Sequence, residues 1–159
     1  MKRFFAILVC FSLCFCAYAE TYDYFSFGLV NEITDEDAIE TSTERGGLEL
    51  SIESAARRGE LFWLLLYDFF WSGDESEHFT EYCTEHLLGL GLGYGLLSFF
   101  QPYSTVMLGI HNEGNEATRL AYKAAAGVRV PIHRVSLRAD ISYCSLLGSS
   151  CTFAIGIGF

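Results

Sequence analysis

Seven ionisable residues stand at even spacings within stretches that are otherwise apolar or small: Glu49 and Glu53, Asp68, Lys123 and Arg129, Arg138 and Asp140. In an extended strand, residues an even number apart share a face. Each of these stretches therefore puts its charges on one side and its apolar residues on the other. A charge in a shielded interior is tolerated only when an opposite charge meets it, because an isolated one costs several kcal/mol (roughly) to desolvate. The set holds both acids and bases, so its chemistry is that of a locked ion-pair cluster or of a polar path for protons, water or small ions. The remaining candidates are weaker. His78, His86, His111 and His133 keep no fixed spacing to a serine. No Cys/His spacing suggests zinc, and Asp35-Glu36-Asp37 lacks the glycine turn and terminal Glu of a calcium loop. That run reads as solvated charge. No catalytic residue, metal site or cofactor is expected.

The elements that must carry these residues read by a period of two. The clearest is the last: Cys151, Phe153, Ile155, Ile157 and Phe159 alternate with Thr152, Ala154, Gly156 and Gly158. From Leu88 to Leu96, every second residue is Leu or Tyr, and Gly89, Gly91, Gly93 and Gly95 fill the gaps. A helix would lose about 1 kcal/mol at each glycine, whereas a strand gathers them on one face. The uncharged run Leu87 to Ile110 is long enough for a membrane helix, but Gln101-Pro102-Tyr103 interrupts it where a tight turn would fall. Six further strands are predicted over Tyr22 to Val30, Gly47 to Ala55, Leu61 to Trp71, Tyr103 to Ile110, Thr118 to Val130 and Val135 to Tyr143. The resulting expectation is an all-β fold, a closed antiparallel eight-stranded transmembrane up-and-down barrel with short periplasmic turns and longer outer loops.

The links alternate accordingly. Outer loops are expected at Asn31 to Gly46, Ser72 to Glu85, His111 to Ala117 and Ser145 to Ser150, and tight turns at Ala56 to Glu60, Ser98 to Pro102 and Pro131 to Arg134. Acids crowd the first two outer loops, while Arg57, Arg58 and Arg134 fall on the turns. Phe69 and Trp71 would mark one membrane interface, and Trp63, Phe99, Phe100 and Phe159 the other.

In such a barrel, strand n faces strand n+4. Glu49 and Glu53 then face Lys123 and Arg129, with Glu53 level with Arg129 and Glu49 with Lys123, and Asp68 faces Arg138 and Asp140. The inward side of the third strand is apolar, with Phe62, Leu64, Leu66 and Phe70. These side chains are expected to lie across the glycines of the fourth strand; the other reading is an apolar pocket.

The 159 residues begin with Lys2 and Arg3, an apolar run from Phe4 to Cys16, and Ala17-Tyr18-Ala19. That is the pattern of a signal peptide over 1–19, cleaved to leave one barrel domain over 20–159. Cleavage takes the net charge from −10 to −12, which excludes the basic stripe of a nucleic-acid-binding protein. Cys83, Cys144 and Cys151 remain, an odd number, so no disulfide framework is expected. A chain 51% hydrophobic and 16% aromatic, yet acidic, suits a wall with lipid on one side and water at its ends.

The pattern resembles the small eight-stranded outer-membrane barrels: the membrane domain of OmpA, the OmpX/Ail group and, more loosely, OmpW. The resemblance covers 20–159 as architecture, and as sequence it is specific at Thr152 to Phe159. There Phe153, Ile155, Ile157 and Phe159 resemble the terminal signal read by the barrel-assembly machinery. Ile157-Gly158-Phe159 stands where OmpX-like proteins carry Tyr-Arg-Phe. His111-Asn112-Glu113 lacks the His-x-Ser-Asn sequence of lipid A deacylases, and no enzyme is expected. The resemblance implies residence in the bacterial outer membrane, with lipid and the assembly machinery as partners. The expected role is a charge-plugged barrel acting as a structural or surface-interaction component. Its acidic loops 31–46 and 72–85 would meet a host or envelope partner. The alternative is a small transport or binding barrel for a small, apolar molecule.

Overall fold

The computed structural model describes residues 22–33, 43–76, 79–113, 118–145 and 148–159. Residues 1–19, where a signal segment is expected, the run Asp35 to Asp37 and His78 lie outside the described residues. Eight strands follow one another: β1 (Tyr24–Glu32), β2 (Thr43–Glu53), β3 (Leu61–Ser76), β4 (Phe79–Tyr94), β5 (Gln101–Glu113), β6 (Arg119–Ile132), β7 (Val135–Cys144) and β8 (Gly148–Gly158). Each pairs antiparallel with the next, and β8 returns to β1 in register from Tyr24 opposite Gly158 to Glu32 opposite Ser150. Closure leaves no unpaired edge, which is what a sheet needs in a solvent that offers no hydrogen bonds.

Alternation decides which face each residue takes. Along β7, buried Ser136, Arg138, Asp140, Ser142 and Cys144 alternate with exposed Val135, Leu137, Ala139, Ile141 and Tyr143. The outward residues make an apolar belt around the whole barrel, with Leu90 on β4 65% exposed and Ile157 on β8 69% exposed. A continuous belt of this kind is untenable in water and ordinary in lipid. Phe153, Ile155 and Ile157 belong to it, and Phe159 is exposed just past β8, its N–H donating to the Asp23 carbonyl at 3.0 Å.

The inward apolar residues of β3 fill the barrel, as packing against glycine requires. A Cβ on Gly91 would lie 2.9 Å from Leu64 and 2.6 Å from Thr105, and one on Gly93 would run into Phe62. Large side chains from β3 thus occupy the volume that β4 leaves open.

Several boundaries move. The segment 72–85 is not a loop: β3 and β4 stay paired from Ser72 opposite Cys83 to Ser76 opposite Phe79, and only 77–78 separate them. Backbone pairing continues through this segment, whose polar composition carries no apolar alternation to signal it. For the same reason β2 begins at Thr43, inside the expected loop 31–46, and β5 runs on to Glu113. Pro102 lies in β5 rather than in the turn, second in the strand, a position that spares the ladder an inner hydrogen bond. The β6–β7 turn is tighter than expected, just His133 and Arg134, with His133 in the left-handed region at φ 55°.

Candidate functional site

The inward parity of β2, β3, β6 and β7 brings all seven predicted ionisable residues into the barrel interior. There they are buried, Lys123 to 1% exposure and Arg129 to 0%. Six of them form a chain of alternating sign that crosses the barrel. Asp68 on β3 takes the Lys123 ammonium of β6 at 2.6 Å, and the same ammonium stands 3.4 Å from Glu49 on β2. Glu49 is paired in turn with Arg138 of β7. Arg138 Nε is 3.3 Å from Glu53, and Glu53 is 3.3 Å from Arg129 Nη1 on β6.

Neutral groups complete the setting. Ser26 and Ser136 donate to Glu53, and Arg138 donates to Ser51 Oγ at 3.0 Å. Arg129 donates through Nε to Gln101 at 2.7 Å and through Nη1 to the Ser54 carbonyl at 3.0 Å. Its guanidinium lies over the Phe62 ring, 3.7 Å from the centroid, a cation–π contact strengthened by loss of water. Lys123 also reaches Thr152 at 3.4 Å. Asp140 has a different kind of neighbour, the Tyr103 hydroxyl, which donates to it at 2.6 Å.

The depth rule placed Glu53 with Arg129 and Glu49 with Lys123, and those pairs stand. The expected meeting of Asp68 with Arg138 and Asp140 does not occur. Asp68 goes to Lys123, and Arg138 goes to both glutamates. Strands in a closed barrel tilt and stagger, so residues counted to equal depth on opposite strands are displaced around the wall. Gln101 was missed because it was placed in the turn Ser98 to Pro102, and Tyr103 because no inward parity was assigned to β5; the alternation Gln101, Tyr103, Thr105, Met107 supplies it. Glu85 was missed because it was placed in a loop. Beyond the ionic chain, Val30, Phe70, Leu87, Met107, Ala121 and Cys144 form a buried apolar layer. The predicted terminal residues Phe153, Ile155, Ile157 and Phe159 stay outside and take no part in the interior.

Buried charge within and an apolar belt without, on eight up-and-down strands, define the architecture of the small outer-membrane barrels. Solved structures agree. The chain is similar to the Yersinia pestis outer membrane protein Ail in a phospholipid bilayer nanodisc, with TM-score 0.59 at 14% identity over 88% of this chain and 100% of that one. It is similar also to the crystal structure of Ail, the attachment invasion locus protein of Yersinia pestis, with TM-score 0.54 at 14% identity over 88% of this chain and 98% of that one. At such identity the likeness is one of fold. No family model matches the chain. No curated protein matches it in sequence.

Proposed function

We propose that the protein resides in the bacterial outer membrane, exported by a signal segment over 1–19, as a barrel whose lumen is plugged by its own ion pairs. Its role is then structural or one of surface contact. The observation that carries this reading is the alternating chain from Asp68 to Arg129. Ions lining a water-filled channel would be solvated and exposed; these are buried, and each has an oppositely charged neighbour among the others. The apolar layer of Phe70, Leu87 and Met107 adds a second obstruction.

With the lumen filled, interaction is left to the ends. The polar hairpin of β3 and β4, and the acidic segment between β1 and β2, are the surfaces offered to a host or envelope partner. The belt meets outer-membrane lipid, and the outward residues of β8 are offered to the barrel-assembly machinery. Surface contact is also the sense of the name carried by the attachment invasion locus protein, which shares the fold.

Conductance across a planar bilayer tests the plug. The wild type is expected to pass negligible current, and Arg138→Ala to pass more. Steady wild-type conductance, unchanged by Arg138→Ala, would replace the plug with a pore.

A further inference from the structure

Two of the tight turns are fastened to each other. The link from β2 to β3 carries Arg57-Arg58-Gly59-Glu60, and the link from β4 to β5 runs Gly95-Leu96-Leu97-Ser98-Phe99-Phe100. Gly59 N–H donates to the Gly95 carbonyl at 2.7 Å, and Gly95 N–H donates to the Glu60 carbonyl at 2.9 Å. The approach demands glycine, since a Cβ on Gly95 would strike the Arg57 carbonyl. Leu97 and Phe100 close the second turn, each N–H donating to the other's carbonyl, at 3.0 and 3.3 Å. Backbone hydrogen bonds thus make the two turns one lobe.

The lobe joins two kinds of surface. Leu96 is 51% exposed and Leu61, at the start of β3, 72%; Leu97, Phe99 and Phe100 are exposed beside them in sequence. A Cβ on Gly59 would stand 3.9 Å from the hydroxyl of Tyr94, an outward residue of β4, so the apolar belt runs up to the arginine turn. Arg57 and Arg58 are exposed as well. Among the described residues, neither guanidinium meets an acid or a hydrogen-bond acceptor. Glu60 is turned back, its Oε2 accepting from the Arg57 backbone N–H at 2.9 Å. Arg134, in the β6–β7 turn, is engaged otherwise, its guanidinium 5.6 Å from the centroid of the Tyr22 ring. Two adjacent unpaired cations against apolar surface are an exception in a chain of net charge −10.

A guanidinium holds phosphate through paired N–H donors, and basic residues at a membrane surface favour anionic lipid. A free phosphate would satisfy the arginines and leave the leucines and phenylalanines bare. A lipid covers both. We propose that this lobe binds an anionic phospholipid, its phosphate on Arg57 and Arg58 and its acyl chains against the apolar residues of the second turn. The proposal rests on the reading of the barrel as membrane-resident.

The test uses Trp63, outward on β3 two residues past Leu61 and 49% exposed. Of the two tryptophans, Trp71→Phe leaves Trp63 as the reporter. The full chain is folded into phosphatidylcholine vesicles holding a minor fraction of phosphatidylglycerol with brominated acyl chains, which quench a tryptophan they touch. Quenching should correspond to a local enrichment of about tenfold over brominated phosphatidylcholine at the same fraction. Arg57→Gln with Arg58→Gln should abolish the excess, and Arg134→Gln should leave it. Gel mobility before and after boiling reports folding of each variant. Should the double variant fail to fold, salt decides on the wild type, because screening must remove the excess. Equal quenching by the two brominated lipids in an inserted barrel would overturn this proposal alone, and failure of the wild type to insert would overturn the membrane reading with it. An excess that survives in the double variant would assign the lipid to another surface and overturn the site.

Discussion

Arg138 touches Glu49, Glu53 and Ser51 at once, whereas Arg129 shares Glu53 with Arg138, Ser26 and Ser136. Removing Arg138 weakens the neutralisation of two buried carboxylates; removing Arg129 weakens that of one. Arg138→Ala is therefore expected to destabilise the folded barrel by about 3–5 kcal/mol, as breaking a buried ion pair does. Arg129→Ala should cost less, and Arg129→Met with Glu53→Gln should recover most of its loss. Urea unfolding in lipid vesicles measures all three, and equal costs for the two single variants would contradict the bridging role of Arg138. At this scale the sequence was a good guide to side. Even spacing alone sent Glu49, Glu53, Asp68, Lys123, Arg129, Arg138 and Asp140 inward. It was a poorer guide to partner, because the stagger that carries Asp68 to Lys123 belongs to the closed barrel and to no single strand.

Among the elements, β3 and β4 show how one strand's composition depends on its neighbour's. Gly89, Gly91 and Gly93 are small because Phe62, Leu64 and Met107 need their space. Gly93→Leu is expected to block assembly, seen as loss of the fast-migrating unboiled band on a gel, while Leu92→Ala on the outer face leaves that band in place. Register has its own test in the cysteines. Cys144 is buried on the inner face opposite Gly148, and Cys151 lies on the outer parity opposite Ile141. They should not be recovered as a disulfide, and finding one would shift β7 or β8 by a residue. Strand cores were legible because lipid on one side and a packed interior on the other enforce alternation. The hairpin from Ser72 to Cys83 was not, because its polar sequence lacks the alternation while the backbone pairing persists.

The whole molecule is an inside-out object, its most apolar surface turned outward. An arginine in the middle of that surface must be dragged into hydrocarbon, so Leu90→Arg should destabilise the barrel by about 2–4 kcal/mol in a bilayer if Leu90 lies near the midplane. Unfolding in vesicles reads this directly, and an unaffected variant would move the membrane away from Leu90. Fold class and strand number followed from periodicity alone. The state of the lumen did not, since it depends on how eight inner faces interlock.

The ionic chain has a consequence for timing. Its links join β3 to β6, β6 to β2 and β2 to β7, strands that are not neighbours in the sheet. None of these contacts can exist while the sheet is still an open ribbon; they come into being only as the first and last strands meet. Interactions absent from the transition state govern how fast a structure comes apart and leave its rate of formation alone. The cluster then acts as a latch on a finished object: Arg138→Ala should hasten unfolding and scarcely slow insertion into vesicles. A half-made barrel, holding acids and bases with nothing opposite them, would have every reason to finish closing and little to gain by stopping.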